Sequence, residues 1–240
     1  MKQSEIFRIG LLALVLAPMS TATAQTADMG ADFVSRYIWR GHDFGESFSV
    51  QPALTFAFGG LEAGMWGSYS LASDGAFSNE LDLWAGYTFE TASSGSFGVA
   101  LTDYYFPYPG SKDDGMHFFN YKNGGNGAHW IEPAISYSGP SSFPVSLYVG
   151  VMVHNDPDYS TYAEISYPIR LDDDIEIGLS AGASVMKSDF YSTDGFGLLN
   201  IGISGTKKLK VTDTFSIPIT VAYVLNPNHK TDFLVFGVSL

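Results

Sequence analysis

The chain contains no cysteine, which excludes a disulfide framework, thiolate catalysis and any cysteine-containing zinc site. It is also poor in cations, with 12 Lys and Arg against 25 Asp and Glu and a formal net charge of −13. That balance provides no electrostatic footprint for nucleic acid. Long apolar runs are missing beyond the N-terminus, because Gly, Ser, Asp or Glu interrupts every hydrophobic stretch within a few residues. A bundle of membrane helices is thereby excluded, but not a membrane protein that crosses with strands. There is no Gly-x-Ser-x-Gly elbow, and the histidines, His42, His117, His129, His154 and His229, are scattered near strand ends and loops. The acidic stretches Asp113–Asp114, Asp156–Asp158 and Asp172–Asp174 lack EF-hand spacing and read as solvated turns. Catalytic residues, a metal site and a cofactor are accordingly not expected.

The N-terminus carries a basic start, Lys2 and Arg8, then the apolar run Leu11 to Ala17, then Ala22-Thr23-Ala24. This is the pattern of a cleaved secretory signal peptide over residues 1–24. The apolar run is shorter than the roughly 20 residues that a helical span needs. Without Lys2, Arg8 and Glu5, residues 25–240 hold 10 basic and 24 acidic side chains, a net charge of −14.

From there the hydrophobic pattern has a period of two, the spacing that sends successive side chains to opposite faces of a strand. Phe48, Val50, Pro52, Leu54, Phe56 and Phe58 share one face, Gly59-Gly60 reads as a hairpin turn, and Leu61 to Leu71 continues the alternation. Strands of this length, about 11 residues, are roughly twice the usual globular length and match a tilted membrane crossing. The pattern repeats to the C-terminus and predicts an all-β, transmembrane, antiparallel up-and-down barrel of about 12 strands. Short connections near residues 59, 92, 140, 172 and 208 are expected in the periplasm. Those near 44, 74, 117, 156, 191 and 229 should face outward, and Pro107 to Ala128 is long enough to gate the mouth. One inner connection, Thr206 to Asp213, reads as a longer, basic turn.

Aromatic residues gather near strand ends on the apolar face, as two membrane girdles would require. Phe58, Phe89, Phe97, Tyr137, Tyr167 and Phe215 lie toward the short turns, and Trp39, Phe48, Tyr69, Tyr105 and Tyr223 toward the long loops. A soluble β-sandwich would also alternate, but its second face would not concentrate Glu62, Glu80, Asp82, Glu132 and Glu164 among glycines and serines. Those carboxylates, with Trp66, Trp84, Trp130, Tyr148 and Tyr162, fall on the inward phase. Asp32 to Gly41 reads as the first strand, with Phe33, Ser35, Tyr37 and Trp39 outward and Arg36 and Arg40 inward. The candidate lumen or constriction set is therefore Arg36, Arg40, Glu62, Glu80, Asp82, Glu132, Glu164, Trp66 and Trp84. It reads either as a salt-bridge network that packs the lumen or as a charge-lined constriction. Inward aromatics beside carboxylates would suit a sugar path, or would simply fill a medium barrel.

The run S-R-Y-I-W-R-G, Ser35 to Gly41, resembles the Ser-x-Tyr-x-aromatic-Arg-Gly pattern opening the first strand in the TorF-like family of Gram-negative porins. The final alternation of Leu234, Phe236, Val238 and Leu240 is similar to an outer-membrane insertion signal, except that such signals usually end in phenylalanine. The family resemblance implies an outer-membrane barrel and a channel, with no established substrate and no catalytic residues. The expectation is a channel in outer-membrane lipid that passes small solutes or ions and, from its surplus of inward carboxylates, prefers cations. A non-conducting structural or surface-recognition barrel is the alternative class, and an outer-membrane hydrolase a third.

Overall fold

The computed structural model describes residues 25–72, 79–107 and 117–240. The expected signal peptide lies outside them, as do residues 73–78 and 108–116 of two long connections. The first strand, β1 (Gln25–Val34), is followed by two very short ones, β2 (Ile38–Trp39) and β3 (His42–Asp43). Next come β4 (Ser49–Phe58), β5 (Leu61–Ser70), β6 (Glu80–Glu90), β7 (Ser96–Tyr105), β8 (His129–Ser138) and β9 (Ser146–Val151). The chain ends with β10 (Thr161–Arg170), β11 (Ile175–Ser184), β12 (Gly197–Lys210), β13 (Ser216–Asn226) and β14 (Thr231–Ser239).

Twelve of these strands form one antiparallel barrel, which β1 closes by pairing with both β4 and β14; β2 and β3 pair only with each other. Closure leaves no free sheet edge, the condition for strands to cross lipid. The alternation has its expected consequence in side-chain exposure. Phe56 and Phe58 on β4, Val99 and Leu101 on β7, Ile201 and Ile203 on β12, and Leu234 and Phe236 on β14 all point outward and stay exposed. An apolar belt of this extent would be an aggregation hazard in water, whereas in a bilayer it faces hydrocarbon. The connections 35–48, 152–160 and 185–196, the described parts of 106–128 and the short turn 227–230 leave one end, and the turns at 59–60, 91–95, 139–145, 171–174 and 211–215 leave the other.

Three expectations require correction. The first strand runs over Gln25–Val34, so Ser35 to Gly41 is not part of the barrel wall. Trp39 does not join a lipid-facing girdle: it is only 5% exposed and belongs to the interior cluster, whereas Phe48, Tyr69 and Tyr223 are exposed. The basic stretch near residue 208 is not a turn, because β12 continues to Lys210 and the turn lies at 211–215. Lys207, Lys208 and Lys210 pair with Ile219, Pro218 and Ser216, so polar residues extend this hairpin where a hydropathy reading stops it.

A candidate lumen site held by an inserted hairpin

The connection between β1 and β4 turns inward. Ile38 pairs with Asp43 and Trp39 with His42, leaving Arg40 and Gly41 as a two-residue hairpin turn. Their φ angles, 49° and 77°, are both positive, as a type I′ turn demands. Glycine is required at the second position for another reason too, since a Cβ on Gly41 would run into the Leu199 carbonyl oxygen of β12. The Asn226 Nδ2 donates to the Gly41 carbonyl at 3.1 Å and ties the tip to β13.

The hairpin bridges opposite walls. Ile38 packs with Val34, Ala222, Val224 and Val235 on the wall formed by β1, β13 and β14. Arg40 reaches the wall formed by β8 and β9. Its Nη1 and Nη2 donate to the Glu132 carboxylate at 2.7 and 2.8 Å, a bidentate pair, and Nη2 also donates to the Tyr148 hydroxyl at 3.2 Å. Nη1 further donates to the Tyr191 hydroxyl. The guanidinium lies 4.3 Å from the Trp39 ring centre and 4.4 Å from that of Tyr162, within cation–π range. Glu132 Oε1 also accepts from Tyr104 at 3.1 Å and from Tyr148, so this buried ion pair is well satisfied. Glu132 fits here because its side chain lies over Gly150 of β9, which pairs with Ala134, and any Cβ on Gly150 would collide with the carboxylate.

The other inward carboxylates lie around this pair. Tyr37 donates to Glu80 at 2.8 Å, and its ring packs on Trp66 at 5.3 Å. Tyr162 at 2.6 Å and Asn200 at 3.1 Å both donate to Glu164. Asp82, next but one to Glu80 on β6, is 2% exposed, and its Oδ1 has no hydrogen-bond partner. Trp84 is buried on the same strand, and Glu62 is half-buried at the short-turn end. Among the described residues, Glu80, Asp82, Glu132 and Glu164 are the buried carboxylates of the barrel strands and Asp156 is buried in the 152–160 connection, while Arg40 is the one buried Lys or Arg.

Arg36 does not join the set. Its side chain is 42% exposed and forms an ion pair with Asp43 inside the same connection, because the chain has already left the wall at Val34. Sequence periodicity also missed Tyr37 and Tyr191. Extending the β1 alternation sends Tyr37 to lipid, and Tyr191 sits in the 185–196 loop, where no periodicity applies. The described part of the long segment, 117–128, is tied to its neighbour by Asn155, whose Oδ1 accepts from the Gly125 and Gly127 amides. The 35–48 connection crosses the lumen, and the 185–196 loop adds Tyr191 to the same interior cluster. The buried His129 ring spends both nitrogens, on Asp103 at 2.8 Å and on the Phe118 carbonyl at 2.7 Å, leaving none for a serine.

Beside the hairpin turn, burial pushes the His42 imidazole below its ordinary value; the His229 ring 5.0 Å away adds to the push, and the bond to the Arg40 carbonyl opposes it.

A closed antiparallel barrel with an apolar outer belt and a polar interior defines the outer-membrane β-barrel class. Its fold is similar to that of the COG4313 outer membrane channel from Pseudomonas putida F1, with a TM-score of 0.50 over 92% of this chain and 95% of that one, at 11% identity. The chain belongs to the Gcw_chp family, bacterial proteins of unknown function, whose family model matches residues 19–223. No curated protein matches it. The family description names no porin, so the likeness of Ser35 to Gly41 to the TorF-like porins remains a resemblance.

Proposed function

We propose that the protein is an outer-membrane channel for small solutes that prefers cations, narrowed by the hairpin at Ile38–Asp43. Arg40, Glu62, Glu80, Asp82, Glu132, Glu164, Trp66 and Trp84 line its path; Arg36 lies outside it. One observation carries the reading: four buried carboxylates on the barrel strands, Glu80, Asp82, Glu132 and Glu164, share a closed barrel with a single buried guanidinium among the described residues. Unbalanced carboxylates in a narrow polar interior recruit cations and repel anions. Likeness of fold to an outer-membrane channel supports the general class. Reversal potentials of the purified protein in planar bilayers under a KCl gradient test it. A cation-selective potential is expected, and an anion-selective one would refute the preference.

The inserted hairpin favours a second reading, a barrel that does not conduct and acts through its loops. Trp39 and Arg40 are each 5% exposed, so the lumen is packed at their level. The readings separate on a variant in which residues 37–44 are replaced by a short Gly-Ser linker. A channel already conducts as the wild type and gains conductance in this variant, whereas a barrel that acts through its loops is silent until the hairpin is removed.

A further inference from the structure

We propose that the aromatic cavity at the long-loop end is a binding site for one small, uncharged aromatic molecule. The cavity measures about 270 Å³. Trp39 and Tyr191, both buried, form its floor, and His42, Phe44, Phe106, Trp130 and Phe190 form its walls. The wall residues are only half-buried, so part of each side chain remains accessible. They come from the hairpin, the ends of β7 and β8 and the 185–196 loop, and meet only because the barrel closes and the hairpin folds in.

Size and chemistry select the occupant. An apolar cavity of about 150 Å³ is enough for benzene, so this one takes one ring or two fused rings. The walls already meet edge-to-face: Trp39 with Phe44 at 5.6 Å and 81°, and Phe106 with Trp130 at 5.3 Å and 80°. A planar ligand extends that packing, gaining ring–ring contact beyond the area it buries. A sugar is disfavoured because the lining, among the described residues, holds no carboxylate or amide side chain. The Tyr191 hydroxyl already accepts from Arg40 and His42 Nδ1 is engaged on the Arg40 carbonyl, which leaves few polar atoms of the described lining for a sugar's hydroxyls. Sugar hydroxyls would lose water there without replacement. Charged rings are disfavoured in the same way, because a carboxylate or ammonium would leave water with no oppositely charged side chain in the described lining to receive it.

The site does not depend on conduction, since binding is an equilibrium property that a silent barrel would share. Calorimetric titration of the full-length barrel in detergent with indole and benzyl alcohol, beside benzoate and benzylamine, reads it directly. Saturable binding of the two neutral probes at one per barrel is expected, with the two charged probes at least tenfold weaker. Phe190→Asp places a charge in the wall and should weaken indole at least tenfold. Phe190→Trp, which fills the cavity without a charge, should do likewise and covers the case in which the aspartate variant fails to fold. Non-saturable uptake that both variants leave unchanged is partition into the micelle, and it would overturn the proposal. So would equal affinity for neutral and charged probes.

Discussion

Arg40 is the residue on which most of the interior converges, and its removal leaves Glu132 as an unpaired buried charge. Arg40→Ala is expected to cost about 3–5 kcal/mol, the usual penalty for breaking a buried pair from one side. A fall in the denaturant midpoint, followed by heat-modifiable gel mobility, would report it. Replacing both partners, Arg40→Met with Glu132→Leu, should recover part of the loss, since no charge is then stranded although the Tyr104, Tyr148 and Tyr191 hydroxyls lose their partners in the pair. A double variant as weak as the single one would mean that the stranded carboxylate is not the cause. Gly41→Ala should destabilise the hairpin by more than about 1 kcal/mol, because the added Cβ meets both a positive φ and the Leu199 carbonyl. His42 makes the hairpin sensitive to acid. The unfolded chain binds a proton near His42's ordinary value of 6.5, while the folded site binds it only at lower pH, so stability falls as pH drops below that value. His42→Gln should flatten this part of the pH profile of hairpin hydrogen exchange, and an unchanged profile would locate the titration elsewhere. Of these residues, Arg40 and Glu132 were legible as inward charges, but their pairing was not, since nothing local connects positions 92 residues apart.

At the scale of elements, strand existence and phase followed from a period of two, and the breaks between elements were harder to read. Phe33, Ser35, Tyr37 and Trp39 continue one alternation, so a strand that stops at Val34 before an inserted hairpin looks like one longer strand. The distinguishing feature is Arg40-Gly41, where both residues take positive φ. An Arg-Gly pair announces a type I′ turn far less clearly than Asn-Gly does. At the basic end of β12, charge was read as a turn although the ladder runs on to Lys210. The orientation of the elements is testable because the native chain has no cysteine. Lys122→Cys, exposed at the long-loop end, should react with an impermeant thiol reagent on intact cells, and Gly59→Cys in the short β4–β5 turn should not. The reverse pattern would invert the barrel.

For the molecule as a whole, the sequence divides cleanly into an outer apolar phase for lipid and an inner acidic phase. That division made the barrel class readable before any coordinates. What fills the lumen was not readable in the same way, because it depends on a connection folding back across the barrel. The resulting object is a carboxylate-rich interior crossed by a hairpin that bridges opposite walls, with the single buried guanidinium of the described residues at its tip. Salt screens such a field over about 10 Å at 0.1 M, so ion preference should sharpen as the salt is diluted. The most direct measurement is the reversal potential across a planar bilayer under a KCl gradient, recorded for the wild type and for the variant lacking residues 37–44. Cation selectivity in both, strongest at low salt and with larger conductance once the hairpin is gone, is the predicted result; anion selectivity, or silence from both proteins, would contradict the account.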